Sequence, residues 1–84
     1  MKGRRLPDGV DVFAAGDYGR IGPDRVWHAR PPKGHLGNLA NHTVTEHEDG
    51  TITVSPSILI SSSDDEGAPT VWHGYLERGV WREC

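Results

Sequence analysis

The stretch from residue 43 to residue 55, TVTEHEDGTITVS, decides the fold. Its branched aliphatic residues fall at strand period in two short runs, with threonine and serine between them, which is typical of strands with one buried face. Asp49-Gly50 separates the two runs, and this dipeptide supplies the positive φ angles of a primed hairpin turn. The stretch therefore predicts a β-hairpin that turns one face towards a core.

A further strand is expected directly after this hairpin. Pro56 has no N–H group to give to a sheet, so it predicts a bend or an edge position. The three consecutive apolar residues 58–60 then predict a strand that is covered on both faces. Such a strand needs protection at its edge, and pairing with a second copy of the chain would give it, so a homo-oligomer is expected.

A second hairpin is predicted near the C-terminal end, with residues 70–77 paired to residues 80–84 across Arg78-Gly79. Alternation along its first strand places large side chains on both faces, and burial of each aromatic ring can remove roughly 150–250 Å² from water. One face carries Trp72, Gly74 and Leu76, and the other carries Val71, His73 and Tyr75.

The N-terminal third of the chain has weaker patterns. Residues 1–9 are polar and broken by proline and glycine, which predicts a flexible N-terminal segment and leaves residues 10–84 as a single β domain. A first strand is predicted within residues 10–15, before a turn-rich stretch at 16–23, and a second strand is predicted at residues 25–29.

Two stretches predict loops. In residues 33–41, Gly34, Gly37 and Asn38 break any helix, which favours a folded loop. Residues 61–69 contain three adjacent acids after a run of serines, which predicts a solvated loop.

The composition fits short elements joined by turns. The 84 residues suffice for one domain, and a chain of this length removes only about 60–65% of its unfolded surface from water on folding. The 11 glycines and 6 prolines argue against a long helix bundle. We therefore predict a mostly-β fold: a small antiparallel sheet, β-sandwich or roll of about five to seven short strands built from hairpins.

The charge balance argues against a nucleic-acid partner. The formal net charge is −3 at pH 7, so the long-range field does not favour a polyanion. Nucleic-acid binding stays open as an alternative, and its site would be the basic tip that contains Arg4 and Arg5.

Cysteine usage and hydropathy predict the compartment. Cys84 is the only cysteine, so no intrachain disulfide can form, and such a chain is expected in the cytoplasm. A membrane span needs about 18 consecutive apolar residues, and the sequence contains no run of that length. The N-terminal basic residues are not followed by the apolar stretch of a signal peptide. We expect no membrane contact.

The sequence does not predict an enzyme. It contains no nucleophile elbow and no Gly-Lys-Ser/Thr of a phosphate-binding loop. The residues from which acid–base hydrolysis could be built are scattered along the chain: Asp17, Asp24, Glu46 and His73. A chain this small also has little volume for a substrate pocket of several hundred Å³.

Five histidines and Cys84 raise the alternative of a zinc-stabilised module. Imidazole and thiolate are ligands that zinc prefers, and a thin core gains from a structural ion. The spacing matches no zinc motif, so a site requires His28, His73 and Cys84 to converge in the sheet. The competing interpretation is surface or hydrogen-bonded histidines and no cofactor.

Aromatic residues favour binding of a protein partner. A core this thin cannot easily hold three indoles, and partly exposed tryptophan and tyrosine dominate binding hot spots. The competing interpretation is that all three tryptophans form the core. The predicted binding residues are Trp27, Trp72, Tyr75 and Trp81.

The order of three segments carries a family resemblance. Trp27 is followed by residues 49–58, DGTITVSPSI, then by residues 72–81, WHGYLERGVW, and by Cys84. Over residues 24–84 this order resembles a family of small actinobacterial and phage proteins. More distantly, it resembles a domain of unknown function in which a strand ending in Pro-Ser-Ile precedes a histidine-aromatic hairpin that ends in cysteine.

The resemblance implies a phage or bacterial cytoplasmic setting. For a phage-derived chain, it implies an accessory protein that modulates a host protein or assembles into a complex. The distant domain carries a cysteine cluster after its first tryptophan, which suggests zinc, whereas residues 28–35 contain no cysteine here. If a metal is inherited, the matching positions are His28, His35, His73 and Cys84.

Overall fold

The structure is a computed structural model. It describes the backbone of residues 1–63 and 69–84 and the side chains of residues 1–60 and 71–84. In this described part the protein has eight strands. The predicted mostly-β fold is confirmed. Among these residues, none lies in a helix of the length and apolar character that a membrane crossing requires. The strands are β1 (Arg4–Arg5), β2 (Asp17–Ile21), β3 (Val26–Ala29), β4 (Gly37–Asn38), β5 (Thr43–Glu46), β6 (Ile52–Ser63), β7 (Pro69–Glu77) and β8 (Val80–Glu83).

The strands form two four-stranded sheets. The first has the order β1-β2-β3-β4, with β1 parallel to β2 and the other neighbours antiparallel. The second has the order β5-β6-β7-β8 and is antiparallel throughout. The described strands outnumber the expected five to seven because β1 and β4 have two residues each, too few to leave a period-2 pattern in the sequence.

The two sheets share one core, as in a β-sandwich. Trp72 and Trp81 meet edge to face, with ring centroids 5.2 Å apart and an interplanar angle of 84°, an arrangement that aromatic pairs prefer. The indole Nε1 of Trp81 donates to the Gly16 carbonyl at 2.9 Å, so the polar atom of this buried ring is satisfied. The core residues are Tyr18, Ala29, Leu39, Ile52, Val54, Ile58, Trp72, Leu76 and Trp81.

The hairpin predicted at residues 43–55 is confirmed, but its turn is not the primed one. The His47 N–H donates to the Thr51 carbonyl at 2.8 Å, and the Gly50 N–H donates to the His47 carbonyl at 3.0 Å. The hairpin loop therefore consists of three residues, Glu48, Asp49 and Gly50. Of these three residues, Gly50 has a positive φ, of 86°. This is the pattern of a type I turn followed by a left-handed residue.

The second hairpin, β7–β8, is also confirmed. Its turn residues, Arg78 and Gly79, have φ angles of 47° and 76°. Two positive φ angles define the primed two-residue turn that the sequence had suggested for the other hairpin. Buried and exposed residues alternate along the described part of β7, as predicted.

β6 is one strand of 12 residues rather than two elements separated by a bend. Its register against β7 shifts between Val54 and Ile58, so Pro56 lies in an irregularity within the strand. The prediction that residues 58–60 are covered on both faces is wrong, because Leu59 is 63% exposed while Ile58 is 1% exposed. The core covers one face of this strand.

The loop prediction for residues 61–69 is too long, because β6 continues to Ser63 and β7 begins at Pro69. The three acids of that prediction, at positions 64–66, lie outside the described residues. In the loop predicted for residues 33–41, two residues form β4 against β3.

The strand predicted within residues 10–15 is wrong. The strand lies instead at Asp17–Ile21, in the stretch that was expected to hold turns. Tyr18 anchors it, since its ring is 1% exposed in the core. Gly19 leaves room on the opposite face for the preceding chain, because a Cβ at this position would stand 3.3 Å from Leu6 Cβ.

Residues 1–9, predicted to be flexible, lie against both sheets. β1 pairs with β2 in the first sheet. The Gly3 N–H donates to the Gly79 carbonyl of the β7–β8 turn at 2.7 Å, and the Trp81 N–H donates to the Met1 carbonyl at 2.8 Å. The flexibility of the segment stays a prediction, but its hydrogen bonds join the two sheets.

Candidate binding face

The solvent side of β6, β7 and β8 forms a continuous surface. β7 lies between the other two strands, and its odd-numbered residues from 71 to 77 point away from the core. Cross-strand pairing puts Leu59 beside His73 and Arg82 beside Tyr75 on that side. We call this surface the outer face. It carries Ser57, Leu59, Val71, His73, Tyr75, Glu77, Val80, Arg82 and Cys84.

Three apolar side chains of the outer face are exposed and adjacent. Leu59 is 63% exposed, Val71 is 59% exposed and Tyr75 is 40% exposed. Leu59 lies across from His73, and the other two flank His73 along β7, so the three surround one histidine. Single exposed apolar residues are ordinary, whereas a contiguous patch is typical of an interaction site.

His73 is the polar centre of this patch. Its Nε2 lies 2.9 Å from Ser57 Oγ on β6 and 4.0 Å from Cys84 Sγ. The Cys84 N–H donates to the His73 carbonyl at 2.9 Å, which extends the β7–β8 ladder by one residue and fixes Cys84 beside the imidazole. Both the histidine and the cysteine are exposed.

Charged side chains lie at the β7–β8 turn end of the outer face. Arg82 Nη2 is 3.1 Å from Glu77 Oε1, and both side chains are more than 45% exposed. A groove of about 570 Å³ continues the face there, with Thr45, Thr53, Glu77, Val80 and Arg82 among its lining residues. Arg82 lies across from Tyr75 and next to Cys84 on this face, and its guanidinium is paired with Glu77 towards the turn.

Of the four predicted binding residues, Tyr75 lies on the outer face. Trp72 and Trp81 are each 2% exposed and belong to the core, so the alternative interpretation holds for these two rings. The chain uses them to fill the space between its sheets.

Trp27 is half-buried and lies under two cations of the same chain. The guanidinium carbons of Arg5 and Arg20 lie 4.8 Å and 5.1 Å from the centroids of its rings, within cation–π range. The Trp27 ring therefore holds the N-terminal segment against β2 and β3 in the first sheet.

Arg4 and Arg5, the predicted nucleic-acid residues, are both engaged within the chain. Arg4 makes two parallel bonds to the Asp17 carboxylate, 3.2 Å from Nε and 2.9 Å from Nη2, and the pKa of Arg4 is raised chiefly by this hydrogen bond. Arg5 Nη1 donates to Glu46 Oε2 at 2.7 Å and to the Gly50 carbonyl at 2.9 Å. A phosphate would have to compete with these partners.

Two of the four predicted metal ligands come together. His73 and Cys84 are the pair described above. His28 lies on β3, where its Nδ1 donates to the Val26 carbonyl at 2.9 Å, and His35 is exposed before β4. Within residues 1–63 and 69–84, no three histidine, cysteine or acidic side chains are grouped so as to hold a metal ion.

The sequence missed Leu59 as a surface residue. Three consecutive apolar residues resemble a doubly covered strand, and only the pairing partner shows which of them faces solvent. A usable signal lies in β7, where the alternation that buries Trp72 exposes His73. Because Leu59 pairs with His73 across the strands, Leu59 lies on the same exposed side.

The fold and the outer face define a small two-sheet β domain with one exposed apolar face. The chain matches no protein-family description, no curated protein and no solved structure. The family resemblance noted for residues 24–84 therefore stays a prediction.

Proposed function

We propose that this protein is a non-enzymatic binding module that holds a protein partner on its outer face. The observation that carries the proposal is the adjacency of exposed Leu59, Val71 and Tyr75 on one side of the second sheet. Burial of apolar surface is the dominant favourable term in most protein–protein association. The groove at the turn end of the face is lined mainly by polar and charged side chains, whereas the apolar side chains lie on the open sheet surface, where another protein can cover them.

The charges favour a protein over a nucleic acid. The chain carries a formal charge of −3, and the outer face presents Arg82 already paired with Glu77. Affinity for phosphate backbones depends on free cations that displace counterions. The face offers apolar side chains instead, which are the groups that protein partners bury.

The proposed setting is the bacterial cytoplasm, as an accessory protein of a phage or of a bacterium. The family resemblance supports the phage or bacterial origin, and the single cysteine supports a reducing compartment. In such a setting the partner is a host protein that the module modulates, or the subunits of a complex to which it belongs.

Affinity capture from a bacterial lysate tests the proposal. We expect the wild-type chain to retain a partner that the double variant Leu59→Asp/Tyr75→Asp loses, because two carboxylates cannot be buried in an apolar contact without a large desolvation cost. Val12→Asp is the matched control, since Val12 is 79% exposed and lies outside the outer face. Equal capture by all three proteins contradicts the proposal, provided that circular dichroism shows the same fold for each.

A further inference from the structure

β5 is a sheet edge that lies open in the described part of the chain. The edge strands of the two sheets are β1, β4, β5 and β8. Two of them, β1 and β4, have two residues each, and the N-terminal segment covers β8, since the Trp81 N–H donates to the Met1 carbonyl at 2.8 Å. β5 has four residues and pairs with β6 alone among the described strands. An edge of this kind can template the pairing of a further strand.

The backbone polar groups of Val44 and Glu46 point away from the sheet. In an antiparallel pair, alternate residues exchange hydrogen bonds with the neighbouring strand, and the residues between them direct their N–H and C=O groups to the other side. The His47 N–H donates to the Thr51 carbonyl at 2.8 Å, so His47 belongs to the residues that bond to β6. Thr45 bonds to β6 in the same way, whereas Val44 and Glu46 lie at the alternate positions.

The partner strand supports this assignment. Ile52 pairs with Glu46, and the Ile52 carbonyl accepts from the Gly79 N–H at 3.0 Å, on the side of β6 that faces β7 and β8. The two residues of such a pair direct their polar groups in opposite directions. Within the described residues, no hydrogen bond from another segment reaches the N–H or C=O of Val44 or Glu46. The edge therefore offers two donors and two acceptors to a partner.

We propose that the β5 edge binds an extended, positively charged segment of a partner protein, which joins the second sheet as a further strand. Strand addition to an exposed edge is a recurring mode of peptide recognition, in which backbone bonds supply affinity and side chains supply selectivity. Thr43, Thr45 and Glu46 are exposed, so a partner can reach the strand. The site lies at the rim of the sheet and uses no residue of the outer face, so the inference goes beyond the proposed function.

The charges beside the edge favour a cationic segment. Glu46 is paired with Arg5 at 2.7 Å, whereas Glu48 and Asp49, in the hairpin loop that continues β5, have no ion pair among the described side chains. Lysine or arginine on the added strand meets these carboxylates, whereas an acidic strand is repelled. A groove of about 510 Å³ runs past this loop, and its lining holds three carboxylates, an imidazole and a guanidinium: Glu46, Glu48, Asp49, His47 and Arg78.

Amide hydrogen exchange of the ¹⁵N-labelled chain, followed by nuclear magnetic resonance, tests the inference with a synthetic peptide of alternating lysine and valine as the probe. In the free chain we expect Val44 and Glu46 to exchange fast and Thr45 to exchange slowly, because only Thr45 donates to β6. The peptide slows exchange at Val44 and Glu46 by about tenfold or more. Added salt reduces this protection, and a peptide with glutamate in place of lysine gives none.

Glu46→Pro and Glu46→Gln are a matched pair of variants. Both remove the carboxylate, but only proline removes the outward N–H, and an edge strand tolerates proline where its N–H faces solvent. We expect the peptide to slow exchange at Val44 in Glu46→Gln, by less than in the wild-type chain, and to have no effect there in Glu46→Pro. Circular dichroism checks that both variants keep the fold. Leu59→Ser/Tyr75→Ser, on the outer face, leaves the protection unchanged.

Slow exchange at Val44 and Glu46 in the dilute free chain would overturn the inference, because it would show that the edge is closed. No protection by the lysine peptide, or equal protection by the glutamate peptide, would remove the cationic partner. Protection that appears when the chain alone is concentrated would assign the edge to a second copy. The proposed function is judged separately, because lysate capture that Leu59→Asp/Tyr75→Asp abolishes supports the outer face even when no peptide binds β5.

Discussion

Asp17 is a buried charged residue, 3% exposed at the start of β2. Its carboxylate accepts two bonds from Arg4 and a third from the Ala14 N–H at 2.9 Å. One side chain thus ties β1, the preceding loop and β2 together.

We predict that Asp17→Ala lowers the free energy of unfolding by about 1–3 kcal/mol, because the Ala14 N–H and the Arg4 guanidinium lose the acceptor that links β1 and the loop to β2. Arg4→Ala costs less, since the Arg4 side chain is 70% exposed. Urea denaturation measures both values. A stability of Asp17→Ala equal to that of the wild-type chain contradicts this role.

Asp8 makes the fold sensitive to acid. The pKa of Asp8 lies below its ordinary value of 3.8, first because Arg20 donates two hydrogen bonds to its carboxylate, at 2.9 Å and 2.7 Å. A carboxyl group with a depressed pKa in the folded state contributes stability above its unfolded pKa. That contribution disappears as the pH falls through the folded pKa.

We therefore predict that urea stability declines as the pH falls below 3.8 and that Asp8→Asn makes this decline shallower. Asp11→Asn serves as the control, because Asp11 is an exposed carboxyl group in the same loop. The same acid profile in the Asp8 variant and the wild-type chain would show that the Arg20–Asp8 pair does not contribute.

At the scale of elements, local patterns predicted both hairpins of the second sheet. Residues 43–55 and 70–84 alternate strongly, and their turns lie between them in sequence, so neighbouring residues contain the needed information. In the first sheet, the strand predicted at residues 25–29 is confirmed as β3. The other three strands were not predicted, because β1 and β4 are too short to alternate and because the glycine in β2 suggested a turn. Its strands are specified by distant partners such as Leu6 and Arg4.

The N-terminal segment offers a test at the same scale. The amides of Gly3, Leu6 and Trp81 donate to carbonyls across the β1 region at 2.7–2.8 Å. We predict slow hydrogen exchange at these three amides, because exchange requires that the segment detach from both sheets. The amide of Val12, in the loop before β2, serves as the fast reference. Exchange at the three amides as fast as at Val12 would confirm a flexible segment instead.

At the scale of the whole molecule, packing decided which predicted site residues reach solvent. Tyr75, His73 and Cys84 were singled out from the sequence, and the structure gathers them on one face. The exposure of Leu59 and the burial of Trp72 depend on which side of the second sheet the first sheet covers. No local pattern carries that information, because either face of β7 holds an aromatic ring.

The use of two indoles in the core also shapes the proposed binding surface. A domain of this size has few large side chains to exclude water between its sheets, and Trp72 and Trp81 do so here. The surface left for a partner consists of Leu59, Val71 and Tyr75 around His73. Such a surface favours contact with an apolar surface of another protein.

The most direct test of the outer face is photo-crosslinking in a bacterial lysate, with a benzophenone side chain placed at Leu59. The account predicts that this position crosslinks to a protein partner and that the same probe at Val12, which is 79% exposed outside the outer face, does not. Equal crosslinking at the two positions, or crosslinking at Val12 alone, would contradict it.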